Sequence, residues 1–391
     1  MKRFVYCFLA GLLCLACRQA ARQPAWVITE PTSAVTNAPG REYPKINPDL
    51  SVTFRATDAD VAGATDVVLD ICGKRYPMVH ADGYWEATSD PLVPGFHYYF
   101  LRLDGRQTAD PASRHFYGCG MMSSGIEIPE EGMEYHLEQD VPHGRISKMT
   151  YHSNYTDSER VLYVYTPAGY DEASDTRYPV VYIQHGGGED ETGWPTQGHM
   201  NYILDNLIAA GKAVPMIIVS ANSNLPATPG QPRGAGLAAW APFRTELLES
   251  IVPFIDATFR TQADAAHRAM CGLSMGGQQS FFIGLNAPET FRWIGMFSAG
   301  CFGNNPNAAP TDFDFEASIP GIFSNTAAFN AAHDLFFISC GEQDPRITHT
   351  AHAAETLRAH GVAVEYRSYP GDHEWETWRK SLRDFAQLLF R

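Results

Sequence analysis

The sequence is poor in basic residues. Its 391 residues include 29 Lys and Arg against 44 Asp and Glu, which gives a formal net charge of −15 at pH 7 with histidine neutral. Binding to the phosphates of DNA or RNA needs a basic face, so this deficit argues against a nucleic-acid partner. Because only 19% of the residues are charged and 45% are hydrophobic, the composition predicts a globular protein with a large core.

Cysteine is scarce and irregularly spaced. Three of the eight cysteines fall in the first 17 residues, and the other five are Cys72, Cys119, Cys271, Cys301 and Cys340. For these five, an odd number at wide spacing is no disulfide framework, and no two of them have the C-x-x-C spacing that is usual for zinc. The sequence leaves a Cys72–Cys119 bridge open, and it predicts neither a metal site nor a cofactor.

Long apolar runs are also missing. Lys2 and Arg3 precede an apolar stretch from Phe4 to Ala16, which is short for a membrane span and typical of a signal peptide. Leu15 and Ala16 before Cys17 resemble a bacterial lipobox, with Cys14 where leucine is usual. We predict a signal peptide over residues 1–17 and an exported protein. Lipidation of Cys17 would make it a periplasmic, outer-membrane or cell-surface lipoprotein, and ordinary cleavage a secreted one.

The rest of the chain divides by periodicity. Residues 18–45 are rich in Ala, Pro, Thr and Arg and predict a tether. Residues 46–127 hold short alternating segments and a hairpin signal, Asp104-Gly105, which together predict a β-sandwich. Residues 128–148 predict a linker. Over residues 149–391 apolar strands alternate with amphipathic helices, which predicts an α/β domain with a doubly wound, mostly parallel sheet.

The α/β region contains the pattern G-x-S-x-G, centred on Ser274. This pattern places a serine on a sharp turn between a strand and a helix, with its hydroxyl exposed. A short apolar run precedes it and a helical period follows it, as such a turn requires. The pentapeptide alone arises by chance in about one chain in ten of this length. Its interpretation as a nucleophile therefore depends on catalytic partners elsewhere in the chain.

Those partners occur in the expected order. A serine nucleophile needs a base, and the base needs an acid that fixes its tautomer. Two turns at the ends of the last strands carry Glu342, Asp344 and His373, and the order Ser, Asp, His is that of α/β-hydrolases. We predict Ser274, Asp344 and His373 as a catalytic triad, with Glu342 as the alternative acid.

An acyl-transfer site also needs two amide N–H groups aimed at the developing oxyanion. The residue after the nucleophile, Met275, supplies one of them. The run His185-Gly186-Gly187-Gly188 follows a buried strand, and we predict that Gly187 supplies the other. His185 is expected to be a structural hydrogen-bonding residue of this loop.

Several segments carry a family resemblance. The runs HGGGEDETGW, RAMCGLSMGGQQSFFIG, CGEQD and GDHEWETWR resemble the feruloyl and acetylxylan esterases of carbohydrate esterase family 1. The run DGYWEATSDPLVPGFHYYFLRLDG resembles the early-set immunoglobulin-like modules related to carbohydrate-binding module family 48. The resemblance implies an α/β-hydrolase preceded by a small β-sandwich, with the same triad and oxyanion hole. It implies a cofactor-independent serine esterase acting on feruloyl esters of plant arabinoxylan.

The resemblance leaves roles and functions open. Trp194 either faces the aromatic acyl group or packs within its loop. Trp85, Tyr98 and Tyr99 either form the sandwich core or a sugar platform. The alternative is an acetylxylan esterase with the same triad. Further alternatives are a siderophore esterase and, from another class, a glycan-binding protein with a relic esterase domain.

Overall fold

Short strands fill the N-terminal part of the chain. In this computed structural model, which describes residues 27–170, 174–226 and 236–391, eleven of them form two antiparallel sheets. The strand orders are β1-β2-β3-β7-β6 and β10-β11-β8-β4-β5, with β9 paired to β8. The bounds are β1 (Thr32–Ser33), β2 (Lys45–Ile46), β3 (Val52–Thr57), β4 (Val67–Ile71), β5 (Lys74–Pro77), β6 (Val79–Ala81), β7 (Tyr84–Thr88), β8 (Gly95–Leu103), β9 (Arg106–Thr108), β10 (His115–Gly118) and β11 (Met121–Ile128).

The two sheets enclose one apolar core. Phe54 of β3 and Tyr99 of β8 are both fully buried there, with ring centroids 4.8 Å apart in an edge-to-face arrangement. Asp104 and Gly105 join β8 to β9 with φ values of 48° and 81°, which is the positive-φ turn that the sequence signals. The predicted β-sandwich is confirmed. Tyr99 belongs to its core, whereas the neighbouring Tyr98 points out of it toward the second domain.

The structure differs from the sequence-based boundaries at both ends of the sandwich. Strands β1 and β2 pair with each other, and Ala34 is buried, so residues from 32 onward of the predicted tether belong to the sandwich. The predicted linker contains a 3₁₀ helix (Met133–His136) and the start of the next strand. Two-residue strands and mostly polar strands have no clear period, so the sequence does not reveal them. The predicted signal peptide and Cys17 lie outside the described residues.

A mixed eight-stranded sheet forms the second domain. Its order is β12-β13-β15-β14-β16-β17-β18-β19, antiparallel at the β12 edge and parallel from β15 to β19. The bounds are β12 (Arg145–Ser153), β13 (Ser158–Thr166), β14 (Val180–Gln184), β15 (Ile217–Ala221), β16 (Arg268–Leu273), β17 (Trp293–Phe297), β18 (Leu335–Gly341) and β19 (Glu365–Tyr369). The central position of β16 puts Ser274 at the middle of the sheet's carboxyl edge.

Helices cover both faces of this sheet. They are α1 (Met200–Ala209), α2 (Ala241–Glu246), α3 (Val252–Thr258), α4 (Met275–Gln279), α5 (Phe315–Ser318), α6 (Thr326–Ala332), α7 (Ile347–Ala359) and α8 (Trp375–Ala386), with π turns at Leu247–Ile251 and Ser280–Gly284 and a 3₁₀ turn at Ala265–His267. Among the described residues, no helix combines the length and apolar character that crossing a bilayer would need.

Alternate residues of the buried strands face two separate cores. In β14, Tyr182 lies in the core that α2, α3 and α7 cover, whereas Ile183 lies in the core that α1 and α8 cover. Strands buried on both faces are continuous apolar runs, which is the pattern that predicted a doubly wound sheet. That fold prediction is confirmed.

The sandwich packs against helix α8 of the second domain. Arg379 of α8 is fully buried and donates two hydrogen bonds, of 2.7 and 2.9 Å, to the carboxylate of Glu127 in β11. Gly95 of β8 lies so close to Glu376 that a Cβ at this glycine would be 2.8 Å from its Oε2 atom. These contacts bring the sandwich to the carboxyl edge of the large sheet, beside Ser274.

Candidate active site

Ser274 occupies the sharp turn between β16 and α4. Its backbone φ and ψ are 50° and −110°, a conformation that L-residues seldom adopt. The flanking glycines make the turn feasible, because a Cβ at Gly272 or Gly276 would lie 2.8 or 2.6 Å from the carbonyl oxygen of Gln184. Strand β14, the turn and helix α4 therefore touch through their backbones, and the serine is held at the top of the sheet.

The structure brings Ser274, His373 and Asp344 together. The Nε2 atom of His373 lies 3.0 Å from the Oγ atom of Ser274, and its Nδ1 atom lies 2.7 Å from the Oδ2 atom of Asp344. Asp344 follows β18 and His373 follows β19, so both loops lie at the same edge of the sheet. With the proton on Nδ1, the lone pair of Nε2 faces the serine hydroxyl.

Asp344 is held in its charged form. Asp344 is 1% exposed, and this burial alone would raise the pKa of its carboxyl group. The hydrogen bond to His373 and the contacts of Arg346 outweigh burial and lower the pKa to about 2. Arg346 donates through its backbone N–H at 3.0 Å and its guanidinium at 3.1 Å. Glu342, the alternative acid, is exposed and lies 3.4 Å from Ser368 instead.

The glycine loop lies next to the serine. A Cβ at Gly186 would be 3.5 Å from the Cβ of Ser274, whereas Gly187 is exposed with open space around its Cα. Met275 occupies the first turn of α4, where backbone N–H groups have no partner within the helix. The glycine loop and the first turn of α4 thus both adjoin Ser274.

His185 is fully buried below the glycine loop. Its Nδ1 atom lies 2.8 Å from the carbonyl oxygen of Gly186, and its Nε2 atom accepts from the backbone N–H of Ser223 at 3.0 Å. Burial lowers the pKa of this imidazole, which stays neutral. His185 is therefore the structural hydrogen-bonding residue that the sequence predicts.

Trp194 does not face a substrate. Its side chain is fully buried, donates to the carbonyl oxygen of Gln184 at 2.9 Å, and packs edge-to-face on Trp375 with centroids 5.2 Å apart. Of the two roles left open by the sequence, the structure supports loop packing, and the assignment to substrate binding is corrected. A tryptophan at this position after the glycines suits substrate contact and loop packing equally well, so the sequence could not tell the two roles apart.

A cavity opens where the sandwich meets the catalytic loops. It encloses about 240 Å³ and has mainly apolar walls. The sandwich contributes Cys72, Phe96, His97 and Tyr98, and the second domain contributes His373, Glu374, Trp375 and Trp378. No local pattern in the sequence signals this cavity, because its two walls are more than 250 residues apart.

His97 forms an ion pair between the domains. Its Nδ1 atom lies 3.0 Å from Glu374 and its Nε2 atom lies 2.7 Å from the carbonyl oxygen of Val93. Burial lowers the pKa of His97, but Glu374 and Cys72 outweigh it and raise the pKa to about 11. A positive charge thus lies in the cavity wall near His373.

The cysteine beside this site, Cys72, is a free thiol in the cavity wall. Within the described residues, all five cysteines are free, including Cys72 and Cys119, and no group of three or more His, Cys, Asp or Glu could hold a metal ion.

Comparison with protein families gives a match to the second domain. The family model Esterase matches residues 153–388, which include Ser274, Asp344 and His373. An endo-1,4-β-xylanase/feruloyl esterase of Xylanibacter ruminicola is 35% identical over 365 residues, which are 91% of this chain and 47% of that protein. The chain therefore spans about half the length of this curated relative.

Solved structures share the fold. The CE1 ferulic acid esterase of the anaerobic fungus Anaeromyces mucronatus is 26% identical, with a TM-score of 0.53 over 66% of this chain and 95% of that one. The enterobactin esterase of Shigella flexneri is 15% identical, with a TM-score of 0.61 over 86% of this chain and 92% of that one. At this identity the second match shows a common fold alone.

Proposed function

The chain belongs to the Esterase family, and we propose on this premise that it is a serine hydrolase of carboxylic esters. Ser274 is the nucleophile, His373 the general base and acid, and Asp344 the residue that orients the imidazole. The observation that carries this proposal is the continuous hydrogen-bonded line from Ser274 through His373 to Asp344, with steps of 3.0 and 2.7 Å.

The proposed reaction runs in two halves. His373 takes the proton of Ser274 as its Oγ attacks the ester carbonyl, and then returns that proton to the departing alcohol. Asp344, whose low pKa keeps it charged at neutral pH, stabilises the imidazolium. A water molecule then attacks the acyl-enzyme with the same assistance from His373, releasing the acid and restoring the serine.

The oxyanion of each tetrahedral intermediate is proposed to accept from the backbone N–H groups of Gly187 and Met275. Preorganised donors of this type cost no reorganisation during the reaction. Loss of one of them typically lowers kcat by about 10²- to 10³-fold.

We propose feruloyl esters of plant cell-wall arabinoxylan as substrates. The support is that the Xylanibacter ruminicola relative is an endo-1,4-β-xylanase/feruloyl esterase and the Anaeromyces mucronatus relative a ferulic acid esterase, at 35% and 26% identity. The cavity beside His373 agrees with this class, since its apolar walls include Phe96, Trp375 and Trp378. An acetyl group would leave most of such a cavity empty, whereas a hydroxycinnamoyl ring would bury apolar surface there.

We also propose that the protein is exported and anchored through a lipid on Cys17. The support is the order of basic residues, apolar stretch and cysteine in residues 1–17. Metabolic labelling with a radioactive fatty acid tests the anchor, because Cys17→Ser should remove the label while the protein is still exported.

The substrate class is tested by comparing kcat/KM for methyl ferulate, methyl p-coumarate and acetylated xylan on one preparation. We expect hydroxycinnamate esters to be preferred by at least about tenfold, the value of one well-placed apolar contact of about 1.4 kcal/mol. A preference for acetylated xylan would replace the feruloyl assignment by the acetyl one. Failure of a fluorophosphonate probe to label Ser274 would support a relic esterase domain.

A further inference from the structure

The glycine loop of the proposed site is attached to the β-sandwich at two points. On one side, the N–H of Gly186 donates to the Oε2 atom of Glu189 at 3.1 Å, and the hydroxyl of Tyr98 in β8 donates to its Oε1 atom at 3.2 Å. On the other side, the N–H of Gly120 donates to the carbonyl oxygen of Gly188 at 2.8 Å. Both Tyr98 and Gly120 belong to the sandwich.

Gly187 lies between these two attachments. The direction of its N–H depends on the peptide plane between Gly186 and Gly187. The carbonyl oxygen of Gly186, which lies in this plane, accepts from the backbone N–H of Glu189 at 3.3 Å and lies 2.8 Å from Nδ1 of His185. The bonds to the N–H of Gly186 and to the carbonyl of Gly188 hold neighbouring peptide units of the loop, and Glu189 contacts the loop through both its backbone N–H and its carboxyl group. A Cβ at Gly188 would be 3.2 Å from the nitrogen of Gly120, so the loop and the sandwich turn are in direct contact.

The hydroxyl of Tyr98 has one orientation available. Its oxygen accepts from Nε2 of Gln197 at 2.6 Å and from Nε1 of Trp375 at 3.3 Å. These two donors occupy both lone pairs, so the hydroxyl proton is directed at Glu189. Glu189 is 5% exposed, so water hardly reaches its carboxyl group. The hydrogen bond from Tyr98 of the sandwich is therefore a main support of this carboxyl group.

We propose that Tyr98 and Glu189 are positioning residues for the oxyanion hole, so that the β-sandwich fixes the direction of the Gly187 N–H. This inference rests on the proposed function, because it assigns Gly187 to the oxyanion. The sandwich then acts in catalysis by holding the glycine loop, whether or not it also binds a glycan. Glu189 touches no reacting atom in this assignment.

The test compares two neighbouring tyrosines of β8. Tyr98→Phe keeps the ring that packs on Phe96 and removes the hydroxyl that supports Glu189. Tyr99→Phe is the matched control, because it removes a buried hydroxyl that donates to Asp110 at 2.8 Å inside the sandwich core. We expect Tyr98→Phe to lower kcat for methyl ferulate by about tenfold with little change in KM, and Tyr99→Phe to leave both unchanged.

A second pair of variants keeps the test open if Tyr98→Phe does not fold. Glu189→Gln keeps an oxygen that accepts from Gly186, whereas Glu189→Ala removes it. We expect kcat to fall by about 10²-fold in Glu189→Ala and to recover most of that loss in Glu189→Gln. A role in stability alone would lower the melting temperature of both variants without this order in kcat.

Binding of a trifluoromethyl ketone separates positioning from general damage, since it forms a tetrahedral oxyanion on serine. We expect Tyr98→Phe to weaken this inhibitor by about tenfold while the Kd of ferulic acid is unchanged. Equal kcat and equal inhibitor affinity in wild type and Tyr98→Phe would overturn the inference and leave the proposed function standing. Absence of Ser274-dependent turnover in the wild type would overturn the proposed function, and this inference with it.

Discussion

The Nε2 atom of His373 lies 3.0 Å from the Oγ atom of Ser274, although the two residues are 99 positions apart in the chain. The parallel sheet explains this proximity. Ser274 follows β16 and His373 follows β19, and parallel strands bring their carboxyl ends to one edge. The positive φ of Ser274 then raises its hydroxyl above that edge, within reach of the imidazole.

Asp344, and not Glu342, is expected to orient His373. Asp344→Asn should lower kcat for methyl ferulate by about 10⁴-fold, because an amide no longer favours the proton on Nδ1 of His373. Glu342→Gln serves as the control, since Glu342 is exposed in the same turn, and its kcat should stay within about twofold of wild type. The reverse order of the two variants would make Glu342 the acid.

Glu189 should make the protein less stable as the pH rises through neutrality. Burial raises the pKa of its carboxyl group to about 7, from 4.5 for the free side chain. Folded protein thus holds a proton that unfolded protein releases above about pH 4.5, so stability is lost between that pH and about 7. A pKa shift of this size corresponds to a contribution of about 3 kcal/mol to the free energy of unfolding.

Urea unfolding at pH 5 and pH 8 tests this coupling. Glu189→Gln has no proton to release, so the difference in unfolding free energy between the two pH values should be smaller by about 2–3 kcal/mol than in wild type. Glu376, whose pKa burial also raises to about 7, should leave part of the pH dependence in the variant. An unchanged difference would mean that Glu189 is charged in the folded protein at pH 5.

The buried ion pair between the domains should matter for stability more than any exposed pair. Arg379→Met leaves Glu127 charged and buried without its partner, and we expect a loss of about 3–5 kcal/mol in the free energy of unfolding. A second substitution, Glu127→Leu, removes the uncompensated charge and should restore most of this loss.

An exposed pair gives the matched comparison. Lys74 and Asp90 lie 2.7 Å apart with side chains 64% and 59% exposed, so Lys74→Met should change the free energy of unfolding far less than Arg379→Met does. If the double variant at Arg379 and Glu127 is no more stable than the single one, the loss comes from packing and not from the unpaired carboxylate.

The sequence predicted the parts of the site that local patterns encode. Glycines around Ser274 indicate the sharp turn, and the apolar runs before Asp344 and His373 indicate strands whose ends meet at one edge. Reasoning of the same kind predicted the parallel sheet and the β-sandwich, and the structure confirms both. A catalytic role for these residues stays a proposal until it is measured.

Contacts between the domains could not be predicted in this way. Tyr98 meets Glu189 because the surfaces of two domains pack together, and no period in either segment encodes that pairing. The sequence leaves the burial of Trp194 open because loop packing and substrate contact require the same apolar residue after the glycines. It does not reveal strands β1 and β12, which begin within the predicted tether and linker, because two-residue and mostly polar strands have no clear period.

The central claim is that an ester reacts by acylating Ser274. Mass spectrometry of the protein, quenched in acid during turnover of 4-nitrophenyl ferulate and digested, tests it most directly. We predict a feruloyl adduct on the peptide that contains Ser274, and neither an adduct nor turnover in a correctly folded Ser274→Ala variant. Continued hydrolysis of the ester by Ser274→Ala, or an adduct on a different residue of the wild type, would contradict the claim.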